Sequence, residues 1–154
     1  MTNLQTILHA TCVSVGGHGV LILGVPGAGK SDLALRLIDQ PGYGLQARLT
    51  RSELVADDQV VITRHKDRLV ATAPPLLKGK LEIRGLGIVG VKPRAKVALA
   101  LVARLQPVAA IARMPEIAAF EILGIGLPVV DIDGTSVSAA ARLRAAINWL
   151  VKHS

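Results

Sequence analysis

Eight consecutive residues, Gly24-Val25-Pro26-Gly27-Ala28-Gly29-Lys30-Ser31, fit the pattern G-x-x-x-x-G-K-[ST] at every fixed position. The spacing has a chemical reason. Glycines allow a tight backbone turn in which successive N–H groups point at one anionic centre. The N-terminus of a following helix adds its dipole there. In such a loop Lys30 reaches β- and γ-phosphates, and Ser31 offers a hydroxyl to Mg²⁺. A glycine-rich turn without a ligand requires no special context, yet here an apolar run precedes the segment and a helical pattern follows it. The residues therefore imply binding of a nucleotide or polyphosphate. They leave the reaction open, because many chemistries use this loop.

Two further clusters carry chemistry. Asp57 and Asp58 close the apolar run Leu54-Val55-Ala56. Acids at the end of a strand suit Mg²⁺ coordination or proton abstraction, while a plain surface turn also favours aspartate. Glu82 and Arg84 sit two residues apart in a strand-like stretch, and that spacing points both side chains the same way. Such a pair suits joint holding of metal and phosphate, although a solvated ion pair has the same spacing. Taken alone, the residues admit a P-loop kinase or phosphatase for a small acceptor and a nucleotide or phosphate sensor without turnover.

These residues need elements to position them. Residues 4–15 read as extended, Gly16-Gly17 as a turn, and Gly19–Leu23 as a buried strand. Residues 30–39 predict a helix with Leu33, Ala34, Leu37 and Ile38 on one face, stopped by Pro41. Residues 42–52 read as a loop with a short basic segment. Short strands are expected at Leu54–Ala56, Val60–Arg64 and Leu69–Thr72, the last two joined by His65-Lys66-Asp67. Pro74–Lys80 reads as a mobile basic loop and Leu81–Val91 as an apolar, glycine-studded segment. Residues 95–105 fit a buried strand or a helix equally, and Leu127–Ile132 fits a strand. The tail 137–152 predicts an amphipathic helix with Ala140, Leu143, Ile147, Leu150 and Val151 on its apolar stripe and Arg142, Arg144 and Lys152 off it. The interleaving of helices and strands favours an α/β fold with a central sheet and flanking helices.

Composition narrows the classes further. The chain of 154 residues carries 18 Lys+Arg against 11 Asp+Glu, a formal charge of +7, which fits an acidic or phosphorylated partner as well as a basic solvated surface. Tyr43, Phe120 and Trp149 are the only aromatic residues, too few for a base-stacking platform, so a nucleic-acid partner is not expected. Cys12 stands alone, which excludes an intramolecular disulfide and a cysteine-rich zinc site and favours a reducing, cytoplasmic setting. Residues 2–29 lack Asp, Glu, Lys and Arg, but glycines, His9, His18 and Pro26 interrupt them. They read neither as a membrane span nor as a secretory signal.

The three clusters, in this order, resemble the catalytic domain of bacterial HPr kinase/phosphorylase. The matching pieces are His9, GVPGAGKS at 24–31, LVADD at 54–58 and LLKGKLEIRGLGI at 76–88. The stretch Leu-Glu-Ile-Arg-Gly-Leu-Gly-Ile is the family-specific part. The resemblance implies a single P-loop kinase-like catalytic domain over residues 1–154, which uses ATP and Mg²⁺ to phosphorylate a serine of HPr, the phosphocarrier of the sugar phosphotransferase system. Pyrophosphate or phosphate can also serve that family. It implies Lys30 as the phosphate-binding lysine, Ser31 and Glu82 as Mg²⁺ ligands, and Asp58, with Asp57 close behind, as the catalytic base. His9 would stand near the active centre, and Arg84 and Arg113 would offset charge on the transferring phosphoryl group. His18, His65 and His153 have no such match. The resemblance further implies a homo-oligomer, usually a hexamer. Full-length members carry an additional N-terminal domain, so this sequence is expected to be the catalytic part alone. Asp133-Gly-Thr-Ser-Val-Ser-Ala139 replaces the family's arginine-containing stretch tied to dephosphorylation, so the kinase direction is the one implied.

Overall fold

A computed structural model describes residues 4–151. Its elements, in chain order, are β1 (Gln5–His9), β2 (Thr11–Val15), β3 (His18–Leu23), α1 (Lys30–Asp39), β4 (Ser52–Ala56), β5 (Gln59–His65), β6 (Arg68–Thr72), β7 (Lys80–Ile83), β8 (Gly87–Gly90), β9 (Lys96–Leu105), β10 (Ala118–Ile122), β11 (Ile125–Ile132) and α2 (Ala139–Leu150).

The segment that fitted strand and helix equally is β9, the axis of the molecule. It pairs with β6 antiparallel over 96–98, with β3 parallel over 99–104 and with β11 parallel over 102–105. The main sheet runs β1-β5-β6-β9-β3-β2-β4, and β10 attaches through β11. β7 and β8 form a separate hairpin.

A β-bulge explains the irregular pattern of β9. Gly19 faces Leu99 but Val20 faces Leu101, so Ala100 is the extra residue. Without the bulge, side chains would alternate between faces throughout. With it, Val97 and Leu99 enter one core, whereas Leu101, Ala103 and Leu105 enter the other. The first core packs α1 and α2 against β2, β3, β9 and β11 through Leu33, Leu37, Leu143 and Ile147. The second lies on the opposite side, where residues of β5, β6, β10 and β11 cover Cys12, Leu21 and Val102. The α/β reading holds, with one refinement. The helices pack into one core, and strands cover the other side of the central sheet. Cys12 is fully buried in this second core, and burial pushes its thiol pKa up, away from reactivity.

α1 forms over the expected residues. Gly29 enters it with φ +99°, a left-handed conformation natural to glycine, and Leu33, Ala34 and Leu37 are buried. α2 departs from expectation at Arg144, which was placed off the apolar stripe but is 7% exposed. Its Nη2 donates to the main-chain oxygens of Leu37 and Gln40, so a buried guanidinium meets the carbonyl end of α1. Burial lowers the pKa of Arg144 from the usual arginine value. The basic loop at 74–80 contains a 3₁₀ turn, Pro75–Leu77, and leads into β7. His153 and Lys152 lie outside the described residues.

Candidate active site

β3 ends at Leu23, and the chain turns sharply at Gly24. A Cβ there would meet the Cβ of Ala28 at 2.9 Å and that of Leu105 at 3.3 Å, so only glycine fits. Gly27 and Gly29 take φ of +84° and +99°, and the loop enters α1 at Lys30. Lys30 Nζ donates to the oxygens of Gly24 at 2.8 Å and Val25 at 3.3 Å. The ammonium thus rests on the loop itself, where an anion within the loop would compete for it.

Asp57 is held by three donors from three different elements. Ser31 Oγ donates at 2.8 Å, Thr11 Oγ1 at 2.9 Å and the main-chain N–H of Glu82 at 3.1 Å. Asp57 is only 5% exposed. A second bulge aims it. Cys12 faces Ala56 but Val13 faces Leu54, which leaves Val55 as the extra residue of β4. Val55 and Ala56 both enter the second core, and Asp57 then turns toward α1. Thr11 gave no signal in the sequence, because its partner lies 46 residues away.

Asp58 behaves differently from its neighbour. It takes φ +71°, a left-handed conformation that aspartate tolerates better than most residues. Its carboxylate is 61% exposed and lies 3.4 Å from His9 Nδ1. The Ala10 N–H donates to the Asp58 main-chain oxygen at 3.2 Å, which pins the turn beside the end of β1.

A cavity of about 680 Å³ joins these groups. The loop from Pro26 to Ser31, His9, Asp57, Asp58, Glu82 and Arg84 all line it. Glu82 lies on β7 and Arg84 in the turn that follows, so the pair is not on one strand as its spacing predicted. Both nevertheless face this cavity. Arg113 does not line it. It lies in the exposed irregular stretch between β9 and β10, where no ladder fixes it.

One wall was not read from the sequence. Gly134 and Thr135 border the cavity. Asp133 accepts hydrogen bonds from the Thr135 hydroxyl at 2.7 Å and N–H at 2.9 Å, and these hold its carboxyl below the usual range. Arg36 on α1 pairs with Asp32 and donates to the oxygens of Gly134 and Ser136. A Cβ on Gly134 would stand 2.8 Å from the Ala28 oxygen, so this turn presses directly on the glycine-rich loop.

Among the described residues no three His, Cys, Asp or Glu side chains cluster as a metal cage. The hydroxyl of Ser31 and the carboxylates of Asp57 and Glu82 are hard oxygen donors at the same cavity. That donor set fits Mg²⁺, which uses one or two carboxylates and completes its shell with water and phosphate. No helix of the described residues is long and apolar enough to cross a membrane.

Comparison with known proteins places this architecture. HPr kinase/phosphorylase of Burkholderia lata is 34% identical over 161 residues, spanning 97% of this chain and 46% of that protein. The Chlorobium limicola protein of the same name is 32% identical over 169 residues, spanning 98% and 47%. HPr kinase/phosphorylase 1 of Oceanobacillus iheyensis is 45% identical over 87 residues, spanning 56% and 25%. The chain thus spans half or less of the length of the curated relatives it matches. The solved structure of the Hpr(Ser) kinase/phosphatase from Coxiella burnetii shares the fold, with a TM-score of 0.78, 23% identity and coverage of 94% of this chain and 95% of that one. The family model for the HPr serine kinase C-terminal domain matches residues 2–140, which include every residue lining this cavity, and the chain belongs to that family.

Proposed function

We propose that the chain is an ATP-dependent protein-serine kinase domain whose acceptor is a serine of HPr. One observation carries this reading. The glycine-rich loop and the Ser31–Asp57 pair line the same cavity as an exposed carboxylate, Asp58, backed by His9. A phosphate-binding loop alone would serve a sensor equally well; the second acid gives it a base.

In this reading the loop amides and Lys30 bind the triphosphate tail. Ser31, Asp57 and Glu82 would hold Mg²⁺, which when bound would offset negative charge on the phosphates. Asp57 is buried and fixed by three hydrogen bonds, so it faces Ser31 and the metal position and does not meet an incoming protein. Asp58 is free to meet one. It takes the proton of the serine hydroxyl as the new O–P bond forms and the γ-phosphoryl leaves its bridging oxygen. His9 steadies the Asp58 carboxylate, and Arg84 offsets charge on the transferring group. The family match and the names of its relatives support HPr as acceptor. The basic balance of the chain suits an acidic partner. A homo-oligomer and a cytoplasmic setting belong to the same proposal.

The test is direct. Incubation with ATP, Mg²⁺ and HPr is expected to add one phosphate to HPr, read by mass spectrometry and mapped to serine. Binding of ATP with no phosphorylated HPr would leave the chain a sensor or a kinase for another acceptor.

A further inference from the structure

The two ends of the cavity differ in what they can hold. β3 and β4 are each antiparallel to β2, so they run parallel to one another, and β3, β9 and β11 are parallel as well. The C-terminal ends of β4, β3, β9 and β11 therefore lie along one edge of the sheet, where open α/β sheets bind ligands. The glycine-rich loop follows β3 at the centre of that edge. Asp57 and Asp58 follow β4, two strand positions to one side, and Gly134 and Thr135 follow β11, two strand positions to the other. Neighbouring strands stand about 4.8 Å apart, so each side lies roughly 10 Å from β3.

Charge is unevenly spread between these ends. Arg84 follows Glu82, whose N–H donates to Asp57, so it belongs to the end that holds the acids and the metal donors. At the other end Arg36 reaches the turn, but it pairs with Asp32 and donates to the main-chain oxygens of Gly134 and Ser136. Thr135, which lines the cavity, commits its hydroxyl proton to Asp133 Oδ1 at 2.7 Å. Its oxygen then offers only lone pairs, with a carboxylate beside it. A phosphate oxygen is itself an acceptor and gains nothing there. A neutral group with hydroxyl donors fits.

We infer that the nucleoside of the bound triphosphate lies against the Gly134–Thr135 turn, that Thr135 Oγ1 accepts a hydrogen bond from a ribose hydroxyl, and that the γ-phosphoryl is thereby directed toward Asp58. This rests on the ATP-dependent reading given above and adds to it a specificity-determining contact. Asp133 is a positioning residue in it, because it fixes the rotor of the Thr135 hydroxyl. The consequence is a donor site that prefers ribonucleoside triphosphates to analogues without ribose hydroxyls.

Calorimetry in the presence of Mg²⁺ with ATP, 2′,3′-dideoxy-ATP and tripolyphosphate tests this on the unaltered chain, Thr135→Val and Thr135→Ser. The unaltered chain is expected to bind ATP about three- to tenfold more tightly than dideoxy-ATP. Thr135→Val keeps the branched shape and removes the lone pairs. It is expected to lose that preference while binding tripolyphosphate within about twofold of the unaltered chain. Thr135→Ser keeps the hydroxyl and is expected to keep the preference. A residue that merely shaped the loop would weaken all three ligands together on Thr135→Val, and that result overturns the inference. Equal binding of ATP and dideoxy-ATP by the unaltered chain also overturns it, while phosphorylation of HPr in the same preparation would leave the kinase reading standing. Absence of any ATP binding would overturn both.

Discussion

Thr11, Ser31 and the amide of Glu82 come from three elements and Asp57 from the turn after β4, yet hydrogen bonds of 2.8–3.1 Å lock them together. Residues 111–117, between β9 and β10, are built the opposite way. There Arg113 is exposed, with Met114 and Ile117 beside it at 89% and 76% exposure, and no strand ladder orders them. Both regions hold residues that the family resemblance ties to catalysis. Only the first has a scaffold that fixes side chains before any ligand arrives. Pre-positioned groups stabilise a transition state because they need no reorganisation at the moment of reaction. If that contrast governs function, substitutions should grow milder from the locked cavity outward.

The sharpest effect is expected at the exposed acid of the locked cavity. Asp58→Asn removes the proton acceptor while leaving Asp57 and its three donors in place. Phosphorylation of HPr should fall by about 10²–10⁴-fold in kcat, with ATP affinity nearly unchanged. Steady-state kinetics and ATP calorimetry check both halves. A fully active Asp58→Asn would move the base elsewhere and void the distinction between the two acids.

Asp57→Ala should fail differently. It leaves Thr11 Oγ1, Ser31 Oγ and the Glu82 amide without their acceptor, at a cost of about 1–3 kcal/mol. Thermal melting should show a Tm several degrees lower, and Mg²⁺-dependent ATP binding should weaken. The same loss of stability in Asp58→Asn would mean that both acids are structural. A milder break lies at the cavity wall. Gly134→Ala places a methyl 2.8 Å from the Ala28 oxygen, so the turn must retreat from the loop. Overpacking of this kind costs about 1–3 kcal/mol, and ATP affinity should fall by about tenfold or less.

The unequal legibility of the chain has physical causes. The glycine-rich loop and α1 were readable because both their chemistry and their period are local, and α1 spans the expected residues 30–39. β9 was not, because its bulge at Ala100 breaks the two-residue alternation, and the summed pattern imitates a helix. Arg144 was misplaced because periodicity assigns charge to solvent, whereas this charge meets carbonyls at the end of another helix. Asp57 was read as a second choice to Asp58 because adjacent acids look alike in a sequence. The bulge at Val55, which separates their directions, is a property of the pairing between β2 and β4. Thr11, Gly134 and the Arg36 bonds across the cavity wall depend on contacts 46 to 100 residues long, for which a single sequence carries no signal.

Arg113→Ala is the mildest expected change and the one that most sharpens the contrast. By resemblance Arg113 is a catalytic arginine, but it does not line the cavity that holds Asp58 and Lys30. If the locked cavity is sufficient, Arg84 supplies the arginine charge and kcat/KM for Arg113→Ala should stay within about twofold of the unaltered chain, while Arg84→Ala drops it by at least about tenfold. A loss at Arg113 equal to that at Arg84 would show that residues 111–117 close over the cavity during turnover or reach the cavity of a second copy. Those two routes separate on mixing. A chain carrying Asp58→Asn and a chain carrying Arg113→Ala would then exceed the summed activity of the two alone only if the arginine works across copies.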